Sequence, residues 1–126
     1  MRKKTTDKRS VDEVLQSTSD TLYPADLGER VVTLKSKDVD GDTPLHVVLW
    51  RNDTFGALLL IDSGIDVNAV GDMGETPLHI AIGKENTQVA TALIKAGARA
   101  DIRSELGSTP KEMYEAASSG FRKEIR

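Results

Sequence analysis

The sequence predicts a mostly α fold, a solenoid of helix–turn–helix units joined by β-hairpin-like fingers. Three observations carry that prediction. The phrase Gly-Asp-Thr-Pro-Leu-His at Gly41–His46 returns as Gly-Glu-Thr-Pro-Leu-His at Gly74–His79, 33 residues later. A shortened copy, Gly-Ser-Thr-Pro, follows at Gly107–Pro110 with the same spacing. The likeness extends beyond the phrase, because Ile61–Ala69 aligns with Ile94–Ile102. A fixed period of this size marks stacked units, none of which can bury its apolar face alone.

The chain opens with a basic stretch. Residues 1–9 hold five Lys/Arg against one Asp, a local +4 that leaves −7 on the remainder of a chain whose total is −3. So short a run reads as a solvated, disordered tail. No apolar stretch follows it, so it is not a secretory signal, and no run approaches the roughly 18 residues of a membrane span. With no cysteine, disulfides, thiolate nucleophiles and thiolate metal sites are all excluded. The 126 residues suit one domain, and 38% hydrophobic with 4% aromatic residues suits helices packed through small side chains. A cytoplasmic address follows by default.

Residues 10–37 do not share the period and read as an N-terminal cap. Ser-Val-Asp-Glu at Ser10–Glu13 has the form of a capping box, opening a short helix with Val11, Val14 and Leu15 inward. A turn-rich stretch broken by Pro24 and Gly28 comes next. Arg-Val-Val-Thr-Leu at Arg30–Leu34 is β-prone and leads into the first finger. Tyr23 and Leu27 are expected to lie over the first repeat, shielding its apolar face.

The repeats run 38–70, 71–103 and 104–126. Gly41 and Gly74 suit a turn that needs positive φ. Thr43 and Thr76 are N-caps, their hydroxyls accepting from free N–H groups of the first helical turn. Pro44 and Pro77 occupy the first helical position, where the missing N–H costs nothing. Leu45, Val48 and Leu49, then Leu78, Ala81 and Ile82, recur at i, i+3 and i+4 as one buried stripe. Second helices are expected over about 54–63 and 87–96, ended by Gly64 and Gly97. The third copy places Lys111 and Glu112 where the others have Leu and His, as a C-terminal cap with one wet side would. Met113, Tyr114 and Ala117 supply its inner face, and Phe121 and Ile125 a short second helix.

On the Thr-Pro-Leu-His phrases and their spacing the chain resembles the ankyrin repeat family. The resemblance covers Asp38–Arg103 well and Ser104–Ala117 in part. Gly56, in place of an apolar residue, and Val48, in place of a small Ala, depart from the pattern. The resemblance implies that His46 and His79 are structural, bonding backbone between neighbouring repeats. A metal site needs converging ligands, and these two would lie about 10 Å apart at helix-to-helix spacing. The acidic run Asp38/Asp40/Asp42 lacks the twelfth-position Glu and ligand order of an EF-hand loop. No nucleophile–base pair or phosphate-cradling loop is present. An enzyme is not expected, nor a metal or other cofactor.

The resemblance also implies a binding surface, the concave face lined by finger tips and the outer ends of first helices. Carried across, its positions are Val39, Asp40, Asp42, Trp50 and Arg51 in the first repeat. In the second they are Val70, Asp72, Met73, Glu75, Gly83 and Lys84, and in the third Arg103, Glu105, Leu106 and Ser108. Trp50 is the only Trp and stands where that fold leaves a position open; exposed Trp and Arg are common interface anchors. Asp38, Asp40, Asp42, Asp72, Glu75 and Glu105 outnumber Arg51, Lys84 and Arg103 there. Such an acidic rim, with apolar Val39, Val70, Met73 and Leu106 between its charges, favours a basic protein partner and rejects nucleic acid. The expectation is a monomeric protein-binding module, in its sharpest form an immunity-type inhibitor covering the cleft of a basic toxin or nuclease. The alternative is a structural adaptor holding a peptide segment.

Overall fold

The computed structural model describes residues 7–117. Residues 1–6 of the basic tail, and the second helix expected around Phe121 and Ile125, lie outside the described residues. The elements in chain order are α1 (Val11–Gln16), α2 (Ser19–Leu22), a 3₁₀ turn (Pro24–Asp26), α3 (Pro44–Trp50), α4 (Thr54–Asp62), a second 3₁₀ turn (Asp72–Gly74), α5 (Pro77–Gly83), α6 (Thr87–Lys95) and α7 (Pro110–Ala116). The first helices α3, α5 and α7 stack on one another, and the second helices α4 and α6 stack beside them.

Each first helix is started by the same device. Thr43 Oγ1 accepts from His46 N–H, and the Thr43 N–H donates back to His46 Nδ1. Thr76 and His79 repeat this in α5, and Thr109 and Glu112 in α7. The Pro that follows each Thr sits in the first turn. Side-chain caps of this kind satisfy N–H groups that the helix itself cannot. At the other end of each unit Gly64 and Gly97 stand at φ 92° and 98°, conformations that a Cβ would strain.

The expected stripes are buried. Leu45, Val48 and Leu49 are packed inside with Leu78, Ala81 and Ile82, and Val47 and Ile80 join them. α3 is buried all round because it lies between α2, α4 and α5. α1 packs on α4 and α2 on α3, placing Val14, Leu15 and Leu22 against the first repeat. Tyr23 packs partly buried against the core as expected, and the cap differs from expectation in two ways, at Leu27 and at Arg30–Leu34. Leu27 is 86% exposed at φ 52° and covers nothing; the covering is done by Leu22 and Val32. Tyr23 is half-buried, its hydroxyl donating to the Lys37 carbonyl and its ring beneath Arg30. The stretch Arg30–Leu34 forms no strand, because side chains take its backbone: Gln16 and Ser19 donate to the Arg30 carbonyl, and Val32 N–H donates to Gln16 Oε1.

The fingers also differ from the expected hairpins, and no strand occurs among the described residues. Each finger is closed by one rung and an inner turn. The pairs are Asp38 N–H to Asp42 O and Gly41 N–H to Asp38 O, repeated at Gly71/Glu75 with Gly74/Gly71 and at Ser104/Ser108 with Gly107/Ser104. One rung is too short for a ladder.

The tail boundary moves as well. Arg9 was expected in a solvated tail, yet its guanidinium makes two bonds of 2.8 and 2.9 Å to the Asp53 carboxylate and pairs with Asp7. It also lies 5.4 Å from the Phe55 ring centre. Arg9 thereby depresses the Asp53 carboxyl below the usual range. Asp53 caps α4 through Gly56 N–H, and its Oδ2 occupies the space that a Cβ at Gly56 would enter. The glycine that departs from the repeat pattern makes room for this clamp.

Candidate functional site

The fingers are tied to one another by bonds that cross between repeats. His46 Nε2 lies 3.0 Å from the Glu75 carbonyl and His79 Nε2 2.9 Å from the Ser108 carbonyl. A carbonyl only accepts, so each Nε2 carries the proton. Each Nδ1 accepts from its threonine N–H, which assigns a neutral imidazole. Burial pushes the His46 pKa below its ordinary value, in the same sense. Asp72 N–H donates to Asp42 Oδ1 at 2.9 Å, and Glu105 N–H to the Met73 carbonyl at 2.8 Å. Both histidines are thus committed to the stack.

Asp42 is the main correction to the expected surface. It is only 4% exposed, because its carboxylate turns inward to take the Asp72 N–H. Burial raises its pKa, outweighing that bond. It is not part of any acidic rim. Asp38 is likewise spent on its own turn, Oδ1 accepting from the N–H of Asp40 and Asp42. Asp38, Asp40 and Asp42 do bring oxygens within 4.8 Å of one another, but these bonds already engage the inner two groups.

Two of the expected basic residues are also engaged. Arg51 reaches back to the cap, donating to the Ser17 carbonyl, Thr21 Oγ1 and Asp20. Arg103 pairs with Glu112 and donates to the Gly107 carbonyl. Lys84 is exposed and forms no ion pair among the described residues. Gly83 is exposed at the end of α5, and Ser108 is half-buried, its carbonyl held by His79. Trp50 is 38% exposed, its ring centre 6.2 Å from that of His46.

What the finger tips do expose is a row of apolar side chains. Val39 is fully exposed, Leu106 is 67% exposed, and Val70 and Met73 are about half-exposed. Asp40, Asp72 and Glu105 are exposed between them, with Glu75 half-exposed. Met73 sits at φ 60°, a conformation rare outside glycine, with its carbonyl held by Glu105 N–H. Strain of this sort persists only where neighbours enforce it. Gly71, beside it, is needed for packing: a Cβ there would collide with Asp42 Oδ1 and stand 2.9 Å from His46 Nε2. Neither feature was expected, whereas apolar Val39, Val70, Met73 and Leu106 between the charges were.

A family model described as ankyrin repeats (3 copies) matches residues 27–105. No curated protein matches the chain. No helix among the described residues is long and apolar enough to cross a membrane.

Proposed function

The chain belongs to the ankyrin repeat family, and we propose that it is a non-catalytic module that binds another protein across its finger tips and first helices. Ankyrin repeats generally serve protein–protein interaction and are typically non-enzymatic. The observation that carries the reading is the apolar row Val39, Val70, Met73 and Leu106, interleaved with Asp40, Asp72 and Glu105. Apolar side chains lined up in water are characteristic of a surface another molecule covers. The acids between them favour a partner with basic groups around an apolar centre, since complementary charge speeds encounter and suppresses wrong partners. In the sharper form of this reading the partner is a basic toxin or nuclease, and the chain acts by occluding its cleft as an immunity-type inhibitor. Trp50 remains the candidate anchor at the edge of the face.

The test is capture from lysate of the source cell with the wild-type protein, Trp50→Ala and the double variant Met73→Lys/Leu106→Lys, followed by kinetics on the captured protein. Added salt should slow association, because exposed charges are screened beyond about 8 Å at physiological ionic strength. The double variant should lose capture, and Trp50→Ala should raise the dissociation rate at a cost of about 2 kcal/mol. Capture of the same partner with equal affinity by all three proteins would sink the assignment of this face.

A further inference from the structure

α4 and α6 occupy equivalent places in successive repeats, yet their outer faces differ in chemistry. At 33 residues' separation Phe55 corresponds to Gln88, Leu58 to Thr91, Leu59 to Ala92 and Asp62 to Lys95. α6 is amphipathic, burying Val89, Ala90 and Leu93 and exposing Gln88 and Lys95. α4 is apolar on every side from Phe55 to Ile61, the pattern of a helix enclosed all round. It is not fully enclosed: Gly56, Ala57 and Leu60 are buried, while Phe55, Leu58 and Leu59 are only partly buried, Leu58 and Leu59 packing one side against the core. A groove of about 660 Å³ runs between the two helices, bordered by Phe55, Leu58, Leu59, Asp62, Ala92 and Lys95. Asp62 and Lys95 are exposed and form no ion pair among the described residues.

We propose that this face binds a second copy of the chain as a weak two-fold dimer. A two-fold axis lying along the groove sets α4 of one copy over α6 of the other, the helices running parallel. Every correspondence between the two helices then becomes a contact. Leu58 and Leu59 meet the smaller Thr91 and Ala92 of the second copy, bulk against hollow. Asp62 meets Lys95 of the second copy, and symmetry supplies that pair twice. The repeat that made the two helices alike in backbone thus makes the face self-complementary in size and charge. Nine residues of helix span only about 13 Å, so the patch falls well short of the roughly 800 Å² per side of a stable interface. The association is therefore concentration-driven, in place of the monomer that the sequence suggests. It shares no residue with the fingertip row and stands independently of what binds there.

Sedimentation equilibrium of the full chain tests this, from roughly 10 µM to 1 mM, the range in which so small an interface associates. The average mass should rise from monomer toward dimer. Asp62→Lys and Lys95→Asp should each lower the association constant by about tenfold, as two like-charge contacts replace two ion pairs. The double reversal Asp62→Lys/Lys95→Asp should restore it. Leu58→Thr, whose new side chain the equivalent position of α6 already carries, should weaken association without disturbing the fold. Monomer mass at every concentration overturns the proposal. So does a double reversal no better than either single one.

Discussion

Replacing Gly71 with alanine tests whether the inter-finger network holds the stack and its binding face together. The added Cβ would overlap Asp42 Oδ1 and stand 2.9 Å from His46 Nε2 and 3.0 Å from Cδ2. None of these atoms is the loose end of a flexible chain. Asp42 is held by Asp72 N–H, and the fully buried His46 ring is bonded at both nitrogens. One bond has to break, leaving a buried polar group unpaired at about 1–3 kcal/mol, and overpacking adds about 1–3 kcal/mol. The expected loss is about 3 kcal/mol, a drop in Tm on the order of 10 °C for a domain of this size. Denaturant melts of the wild type, Gly71→Ala, Asp42→Ala and the double variant measure it. Asp42→Ala removes the nearest clash, so the double variant should be more stable than additivity predicts, by about 1 kcal/mol. Ser104 holds the equivalent place in the next finger, beside a half-exposed Glu75, and tolerates a Cβ there. If Gly71→Ala melts within about 2 °C of wild type, or the two changes simply add, the collision is not real and the network does not carry the fingers.

Two further outcomes follow from the same bonds and angles. His46 is held neutral with a depressed pKa, so its contribution to stability is complete above the unfolded-state value of about 6.5 and is lost as pH falls from there toward the folded-state value, by up to about 1.4 kcal/mol per pH unit. Asp42 is shifted upward and works in the opposite sense, its stabilising share being lost as pH rises through its folded-state value. Melts from pH 7.5 to 5 in Asp42→Asn, with the wild type and His46→Asn beside it, isolate the histidine; a stability flat over that range in Asp42→Asn would contradict a buried neutral imidazole. Glu85 adopts φ 50° in the turn between α5 and α6, where the preceding repeat has Asn52 at φ 53°. Glu85→Gly should therefore stabilise the fold by about 0.5–1 kcal/mol, and calorimetry showing no gain or a loss would mean that the Glu side chain is needed there.

The local rules were legible in the chain. Thr-Pro pairs placed the helix starts, i, i+3, i+4 spacing placed the buried stripes, and Gly64 and Gly97 placed the helix ends, because caps, proline φ and glycine φ act within a turn of chain. The apolar residues of the finger tips, Val39, Val70, Met73 and Leu106, could be read directly in the chain. The fate of each polar group could not. Asp42 and Asp40 are near neighbours of one type, yet one is buried under the next finger and the other exposed, and residue 72 decides which. Arg51 is drawn to the cap by Thr21, and Arg9 to α4 by Asp53, partners 30 and 44 residues away. Leu27 turns outward at φ 52°, and it is Leu22 and Val32 that pack into the core. Periodicity tells which side of a helix avoids water. Only the packed stack tells which hydrogen-bond partner each finger meets, since that partner belongs to the neighbouring repeat and leaves no mark on the residues beside it in sequence.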